Sequence, residues 1–507
     1  MTTEVKTVQL SDFKKYIRKM KSYEEAIALL SWDLRTGAPK KGAEFRSDSI
    51  GDLYGEYNKM LISDQMAEFL EHFLQNEVIT TLGDVERKML TECKREYDFS
   101  KKIPPEKLQE YVVLTTKTES LWSEAKGKND WDSFAPSLQK IVDTNIEFAE
   151  LRGYEGHRYN ALLDNYEPGI TVEKLDEVFG ALREKVVPLL AAIRQSPNQP
   201  DCSFLDQAFD KDKQRQFSLD TLKQLGYDFE AGRLDETVHP FMTGINPRDS
   251  RITTRYLPRD VRSALFGTIH ECGHAMYEQN ISEELSGTNL NSGTSMGIHE
   301  SQSRFWENVI GRSKQFWAHN YDALKAKFPG QLDDVGLDDF YRACNHAEST
   351  LIRIEADELT YNFHIMIRYE LEKALIGGTL QVSDLPEAWN EKYREYLGIE
   401  PSSYSEGVMQ DVHWSAGLFG YFPSYSLGNM YAAQMLNKIE NEFLPNFYEL
   451  IEAGDFAPIK TLLTEHVYQY GKLLTPNEII ERMTGEELNP EYLVKYLTDK
   501  YSPIYGL

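Results

Sequence analysis

Two histidines and a glutamate lie together near the middle of the sequence, in the run His270-Glu271-Cys272-Gly273-His274. Residues four apart on an α-helix differ by only about 40° around the axis, so both imidazoles would point the same way and could bind one metal ion. Glu271 would lie about 100° from His270, within reach of a water molecule at that metal. The spacing therefore predicts a zinc site with His270 and His274 as ligands and Glu271 as the general base.

The alternative interpretation of this run is an ordinary helix that carries two surface histidines. The segment 261–279 around the run is apolar, has Asp260 as a plausible N-cap, and follows a predicted strand at 251–256. Placement on an apolar helix directly after a strand favours the metal site over the surface helix.

A catalytic zinc ion needs a third protein ligand and one open position for water. Glu300 is the preferred candidate, because a Gly/Ser/Thr-rich turn from Ser286 to Gly297 would bring the next helix back beside the first. His299 competes with it but better suits a role facing the substrate or supporting a ligand. Glu278 would place three ligands along one helix, where they could hardly surround an ion. For Glu300, the alternative is an acid favoured at a helix start by the helix dipole.

Such a site would hydrolyse peptides. Zinc lowers the pKa of its water towards about 7 and polarises a carbonyl group. Glu271 would take the water proton and pass it to the leaving amine. The strand at 251–256 could pair with an extended peptide along its edge.

The elements that must position these residues are mostly helical. The predicted fold class is all-α with a small β element, because strand patterns are rare outside 251–256. Helical periodicity covers 11–33, 64–75, 84–98, 105–126, 132–152, 172–195, 212–225, 303–328, 337–350, 356–376, 429–453, 456–470 and 489–499.

Length and charge exclude several classes of protein. The chain has 507 residues with 55 Lys and Arg against 81 Asp and Glu, a net charge of −26. Such an acidic chain is unsuited to nucleic acid or an anionic membrane surface. No apolar run approaches the roughly 18 residues of a membrane helix. The first 20 residues lack the apolar core of a signal peptide, and the four cysteines are scattered, so we expect a cytoplasmic protein.

The length also bears on domain organisation, because a single hydrophobic core stops growing at about 250–300 residues. No linker or internal repeat marks a boundary. We therefore predict one catalytic unit over 1–507, folded as two interleaved helical lobes, with the metal-site core at about 239–430. A cleft between lobes is a natural place for a ligand.

Ordered motifs over about 32–428 resemble the carboxypeptidase Taq family of metallocarboxypeptidases, which belong to the helical gluzincin peptidases of the neurolysin type. The motifs that carry this resemblance are Trp32-Asp33, Gly37-Ala38-Pro39, Gly42-Ala43, His239-Pro240-Phe241, Asp249-x-Arg251-x-Thr253, His270-Glu271-x-x-His274, His299-Glu300-Ser301-Gln302, Ile352-Arg353-x-x-Ala356-Asp357, Gly407-x-x-Gln410-Asp411-x-His413-Trp414 and Tyr421-Phe422-Pro423-Ser424-Tyr425-x-Leu427-Gly428.

The resemblance implies an enzyme that removes single residues from a peptide C-terminus, with broad choice of that residue. It further implies two helical lobes around a deep groove, a homodimer, and one divalent metal per subunit, which is zinc or else cobalt or manganese.

The resemblance also implies roles for residues outside the zinc motif. Arg353 would bind the substrate carboxylate, to which a planar guanidinium is well matched. The alternative is an ordinary i,i+4 helix pair with Asp357, which could otherwise orient Arg353 or a ligand histidine. Tyr425 could donate its hydroxyl to the carboxylate or oxyanion, or simply pack among aromatic rings. His413, beside Asp411, could contact substrate or be a satisfied core histidine.

Three further residues complete the predicted site. His239 could contact bound peptide, and Asp249 and Arg251 more naturally form a structural pair that braces the strand. Two other functions remain open from the residues alone. One is a helical oligopeptidase that cuts peptides internally, and the other is a non-catalytic helical scaffold that binds peptides.

Overall fold

The computed structural model describes residues 8–507 of the chain. The described part is mainly helical and contains one small three-stranded sheet, which confirms the predicted fold class. It divides into two compact units, each built from three separate stretches of sequence. The organisation as one catalytic unit with a metal-site core at 239–430 stays a prediction. Residues 1–7 of that predicted unit lie outside the described residues.

The first unit contains the described residues up to Lys102, then Ala208–Thr294 and Gly454–Thr475. Its helices are α1 (Leu10–Thr36), α2 (Ala43–Leu61), α3 (Asp64–Phe73), α4 (Asn76–Ile79), α5 (Asp84–Lys101), α10 (Lys211–Leu225), α11 (Val261–Gln279) and α19 (Ala457–His466).

The sheet of the first unit has β3 (Asp249–Thr254) between β1 (Leu234–Glu236) and β2 (Met242–Asn246). β3 runs parallel to β1 and antiparallel to β2. The strand predicted at 251–256 therefore begins two residues earlier and ends at Thr254. The Thr254 hydroxyl is 3.0 Å from that of Thr268 on α11, so the sheet packs directly against the helix that carries both histidines.

The second unit contains Ile103–Gln207, Ser295–Ala453 and Pro476–Leu507. Its helices are α6 (Pro105–Lys128), α7 (Trp131–Arg152), α8 (Asn160–Leu163), α9 (Val172–Gln195), α12 (Met296–Arg304), α13 (Lys314–Lys327), α14 (Leu337–Cys344), α15 (Tyr361–Gly377), α16 (Leu385–Leu397), α17 (Pro423–Lys438), α18 (Phe447–Ala453), α20 (Pro476–Thr484) and α21 (Glu491–Tyr505).

Two predictions of a long continuous helix in this unit, at 303–328 and 429–453, are wrong, because each of these segments is interrupted. A wide π-helical segment, Phe305–Gly311, follows α12, and Ser313 then caps α13 as a new helix. A second π segment, Ile439–Phe443, separates α17 from α18. Apolar periodicity alone cannot reveal the first of these widened turns, because Phe305–Gly311 is buried throughout, like most of α12 before it.

Other boundaries were misplaced or missed for physical reasons. The helix predicted at 356–376 begins only at Tyr361, because Arg353–Glu355 form a separate short turn. α2 was missed because only Leu61 of its 19 residues is buried, so it has no apolar stripe. α16 was also missed, although Leu385, Trp389 and Tyr393 supply buried residues one turn apart.

Candidate metal centre and substrate-binding cluster

Helix α11 has the bounds that the sequence predicted, and Asp260 caps it. The Asp260 carboxylate accepts hydrogen bonds from the backbone N–H groups of Arg262 at 3.1 Å and Ser263 at 3.4 Å. His270 and His274 lie one turn apart with their ring centroids 5.0 Å from each other. Both are half-buried, whereas the Glu271 side chain between them is buried.

Helix α12, which carries Glu300, is fixed at its first turn by a buried acid. The Glu167 carboxylate accepts from the backbone N–H of Gly297 at 2.8 Å and from the Tyr431 hydroxyl at 2.9 Å. Burial raises the pKa of Glu167 to about 7, against the opposing effect of the hydrogen bonds it accepts. A Cβ atom at position 297 would lie 2.5 Å from this carboxylate, so any other residue there would displace the Glu167 side chain.

The side chain of Glu300 also lies directly against helix α17. A Cβ atom built at Gly428 would be 2.5 Å from Glu300 Cγ and 3.0 Å from its backbone carbonyl carbon. Helix α17 therefore has no side chain at this point, and the Glu300 side chain packs directly against its backbone. The position of Glu300 depends on this close approach.

His270, His274 and Glu300 form a cluster that could hold a metal ion. One ligand atom from each residue lies within 4.8 Å of the other two. Two imidazole nitrogens and a carboxylate oxygen are the donor set of many catalytic zinc sites, so the residues fit a divalent metal. Glu278, the less favoured third ligand, instead accepts from the backbone N–H of Gly293 at 2.8 Å.

Glu300 is held from its own helix as well. Arg304 Nε donates to Glu300 Oε1 at 2.7 Å, and the Ser303 hydroxyl lies 3.3 Å from Oε2. Burial lowers the pKa of Arg304, but the Glu300 and Glu307 carboxylates outweigh burial and raise it above its ordinary value. Arg304 is therefore a permanent cation beside this carboxylate.

Arg353 lies buried in the second unit, in the short turn before α15. Its Nε and one terminal nitrogen donate to Asp411 Oδ1 at 3.0 and 2.9 Å, and its other terminal nitrogen donates to the Tyr361 hydroxyl at 2.7 Å. The pair with Asp357 that ordinary helical spacing suggested is not formed. Arg353 and Asp357 are not on one helix, because α15 begins only after both.

Asp357 has a different task from the orienting role considered for it. Its carboxylate accepts from the backbone N–H groups of Leu359 and Thr360 and from the Thr360 hydroxyl, which fixes the start of α15. The residue that orients Arg353 is Asp411. Asp411 stood in the motif that includes His413, but its partner could not be deduced from sequence spacing.

A second arginine, Arg368, shares Asp411 with Arg353. Its guanidinium is 2.6 Å from Asp411 Oδ2, and Arg368 is fully buried. Burial would raise the pKa of Asp411, but the two guanidinium groups outweigh that effect and hold the pKa well below its usual range. Sequence reasoning missed Arg368 because it lies within the apolar helix α15, where nothing in the spacing distinguishes it from a snorkelling surface arginine.

Aromatic residues enclose the Arg353 guanidinium. Its central carbon is 5.1 Å from the Tyr425 ring centroid and 5.5 Å from that of Phe422. The Tyr425 hydroxyl is 3.3 Å from His413 Nε2. Burial, followed by the charge of Arg353, lowers the pKa of His413 to about 3, so this imidazole is neutral at physiological pH.

The remaining predicted residues lie as follows. Asp249 and Arg251 form a bidentate ion pair at 2.8 and 2.7 Å on β3, with the guanidinium over the Trp32 ring at 4.6 Å. His239 is exposed between β1 and β2, and His299 is half-buried on α12. No helix among residues 8–507 is long and apolar enough to cross a membrane.

A helical fold with two histidines one turn apart and a downstream glutamate beside them is the arrangement of a metal-dependent peptidase. Over residues 12–501 the chain matches the family model described as carboxypeptidase Taq (M32) metallopeptidase, and it belongs to that family. The resemblance drawn from the motifs is thereby confirmed.

The family assignment agrees with three similar proteins. The chain is 51% identical to carboxypeptidase 1 of Bacillus subtilis, covering 98% of both chains. It is 40% identical to thermostable carboxypeptidase 1 of Thermus thermophilus over the full length of both. It superposes on the crystal structure of M32 carboxypeptidase from Deinococcus radiodurans with a TM-score of 0.94 at 35% identity, covering 98% of this chain and 99% of the other.

The chain is therefore a metallocarboxypeptidase, a hydrolase that acts on peptides and requires a divalent metal. The prediction of an enzyme is confirmed over the alternative of a non-catalytic scaffold.

Proposed function

We propose that this carboxypeptidase binds one zinc ion through His270, His274 and Glu300 and releases single residues of broad type from peptide C-termini. The observation that supports the proposal is the convergence of these three side chains, whose ligand atoms lie within 4.8 Å of one another. Cobalt or manganese would suit the same mixed nitrogen and oxygen donors. This ligand set on a helical scaffold supports our assignment of the enzyme to the gluzincins.

Glu271 is the proposed general base. When bound, the metal supplies Lewis-acid chemistry that polarises the scissile carbonyl and acidifies the attacking water. Glu271 takes the proton of that water and transfers it to the leaving amine. Its position next to His270 on α11, with its side chain buried, suits a base that must hold a proton away from bulk solvent.

Arg353 is the proposed anchor for the substrate carboxylate. A guanidinium has five N–H donors, and Asp411 and Tyr361 accept three of them. One N–H on each terminal nitrogen remains for the two oxygens of a carboxylate. Since Asp411 is shared with Arg368, two cations face one anion, and this excess positive charge favours an incoming carboxylate.

Tyr425 and His413 complete the proposed substrate site. The His413 imidazole is neutral. With its proton on Nε2 it donates to the Tyr425 oxygen, which leaves the hydroxyl proton for the carboxylate or the oxyanion. We assign peptide contacts to His299 and His239, and a bracing role to the ion pair of Asp249 and Arg251 beneath the substrate strand.

We further propose a cytoplasmic homodimer. All four cysteines are free thiols, which suits a reducing compartment. Sedimentation equilibrium of the purified chain tests the dimer, and a single monomer mass over a wide concentration range would contradict it.

Mass spectrometry of a peptide incubated with zinc-loaded enzyme tests the proposed reaction. A ladder that shortens from the C-terminus supports it, whereas internal fragments would support the oligopeptidase alternative. The same peptide with an amidated C-terminus is the matched control, because it retains every side chain but lacks the carboxylate that Arg353 is proposed to bind. Metal analysis of the purified protein completes the test, and a protein without a stoichiometric divalent ion after purification in metal-replete buffer would contradict the zinc proposal.

A further inference from the structure

Arg304 is fixed on several sides within the second unit. Its Nε donates to Glu300 Oε1 at 2.7 Å, and one of its terminal nitrogens lies 3.5 Å from Glu307. Its guanidinium carbon lies 4.5 Å from the centroid of the Tyr361 ring. Glu307 is held in turn by Arg312 at 3.0 Å, so the support of Arg304 continues into the π-helical segment.

This arrangement constrains the Glu300 carboxylate. A carboxylate on a two-carbon stem can rotate, and a ligand that rotates must be ordered when the metal binds. Arg304 restricts this freedom by holding Oε1 at 2.7 Å, more closely than the Ser303 hydroxyl approaches Oε2 at 3.3 Å, and the close contact with Gly428 fixes Cβ and Cγ. The Arg304 bond therefore selects one orientation of the carboxylate plane.

We infer that Arg304 is a positioning residue of the metal site, which holds Glu300 Oε1 so that Oε2 is presented to the metal. This inference rests on the proposed role of Glu300 as a ligand. Hydrogen-bond partners behind a metal ligand commonly change metal affinity by about 10–100-fold when removed.

Tyr361 connects this support to the substrate anchor. Its ring lies under the Arg304 guanidinium, and its hydroxyl accepts from Arg353 at 2.7 Å. The ring and the hydroxyl therefore serve two different functions. The ring holds the group that positions the metal ligand, and the hydroxyl holds the group that binds the substrate carboxylate.

The test measures the zinc dissociation constant by competition with a chelator, independently of activity. We expect Arg304→Ala to weaken zinc binding about 10–100-fold and Arg304→Lys to recover part of the loss, since lysine keeps the charge but lacks the fork. Arg183→Ala is the control for loss of an arginine stacked on a tyrosine elsewhere, and Arg183 is the more exposed of the two arginines. Arg183 also lies over a tyrosine, 5.8 Å from the Tyr396 ring, and 3.8 Å from Glu370, yet none of its contacts involves Glu300.

Two substitutions of Tyr361 separate its ring from its hydroxyl. Tyr361→Phe keeps the ring, so we expect a higher KM with an unchanged zinc dissociation constant. Tyr361→Leu removes the ring as well, so we expect both quantities to worsen. If Tyr361→Phe and Tyr361→Leu gave the same zinc affinity, the contribution of the ring would be refuted.

Failure of this inference is distinguishable from failure of the proposed function. If Glu300→Gln lost zinc while Arg304→Ala and Arg304→Lys bound it like the parent enzyme, only the role of Arg304 would be overturned. If Glu300→Gln also bound zinc normally, the proposed ligand set would be wrong. Should Arg304→Ala fail to fold, Arg304→Lys and Tyr361→Leu still decide the question. The inference is overturned if Arg304→Lys and Arg183→Ala lose the same thermal stability while the zinc affinity of both stays unchanged.

Discussion

The proposed metal ligands of α11 and the cluster around Arg353 are specified by the sequence in opposite ways. His270 and His274 are four positions apart on one helix, so their relation follows from helix geometry alone. Arg353, Arg368 and Asp411 come from three separate segments and meet only in the folded second unit. Helical spacing thus defines the first region, whereas tertiary packing defines the second.

The two regions also differ in how charge is balanced. On α11, Glu271 is buried, and the imidazoles of His270 and His274 are half-buried. Around Arg353, two buried guanidinium groups share one carboxylate and are enclosed by aromatic rings. Burying an excess of one charge is costly unless a ligand compensates it. This difference supports the proposal that the first region carries out the chemistry and the second holds the substrate carboxylate.

The largest expected effect is on the first region. Glu271→Gln should lower kcat by about 10²–10⁴-fold, because the amide cannot accept the water proton, and should leave KM and metal content near their parent values. Steady-state kinetics and metal analysis measure this. Parent-like kcat would show that the base lies elsewhere.

The next largest effect should separate the second region from the first. Arg353→Ala should lower kcat/KM by roughly 100-fold, as expected when one partner of a buried charge pair is truncated. The loss should reside mainly in KM. Amidation of the peptide should reduce kcat/KM of the parent enzyme strongly but that of the variant little, since both changes remove the same interaction. Additive losses would contradict the anchor.

A smaller expected effect is a pH dependence of stability, which involves the loop that carries Trp414 and Gly420 beside the cluster around Arg353. Glu372 accepts from Trp414 Nε1 at 2.7 Å and from the Gly420 backbone at 2.8 Å. Burial raises its pKa to about 7, above the unfolded value of about 4.3. Ionisation of Glu372 therefore destabilises the folded state as pH rises from about 4 through 7, by about 3 kcal/mol in total.

The substitution Glu372→Gln tests this dependence. Between pH 5 and 8, the denaturation midpoint of the parent enzyme should fall relative to that of the variant, which has no proton to lose at this site. Parallel midpoints across this range would exclude Glu372 as the source.

The smallest expected effect sharpens the contrast between local and global charge. The net charge of −26 should repel acidic peptides over a distance, so that only the positive cluster near Arg353 attracts their carboxylate. We expect lower kcat/KM for peptides ending in Asp or Glu than for those ending in Arg or Leu. The gap should narrow in high salt. Equal rates at low salt would show that the overall charge has no effect on selection.

The sequence predicted what depends on local geometry. The bounds of α11, its cap at Asp260 and the fold class all follow from periodicity and capping. The approach of Glu300 to the histidines was predicted from the Gly/Ser/Thr-rich turn before α12, which would bring the next helix back beside the first.

What the sequence could not predict depends on distant contacts. The pairing of Arg353 with Asp411 rather than Asp357 arises because the chain leaves the helical path between Arg353 and Tyr361. Arg368 is hidden in an apolar helix, and the π segment after α12 has the same burial as the helix before it. In each case the outcome depends on packing in the folded structure, and the number of residues between two positions does not predict how close they lie in space.

Position 428 has a consequence for how the enzyme tolerates change. It contributes no donor atom, yet a single added methyl group there would lie 2.5 Å from Glu300 Cγ and 2.7 Å from its Cβ. Rotation about the Glu300 side-chain bonds does not move Cβ, so the strain would pass directly to the proposed ligand. A genetic screen for variants that have lost their metal should therefore recover Gly428 together with the ligands, and natural drift at this position should be as restricted as at a coordinating residue.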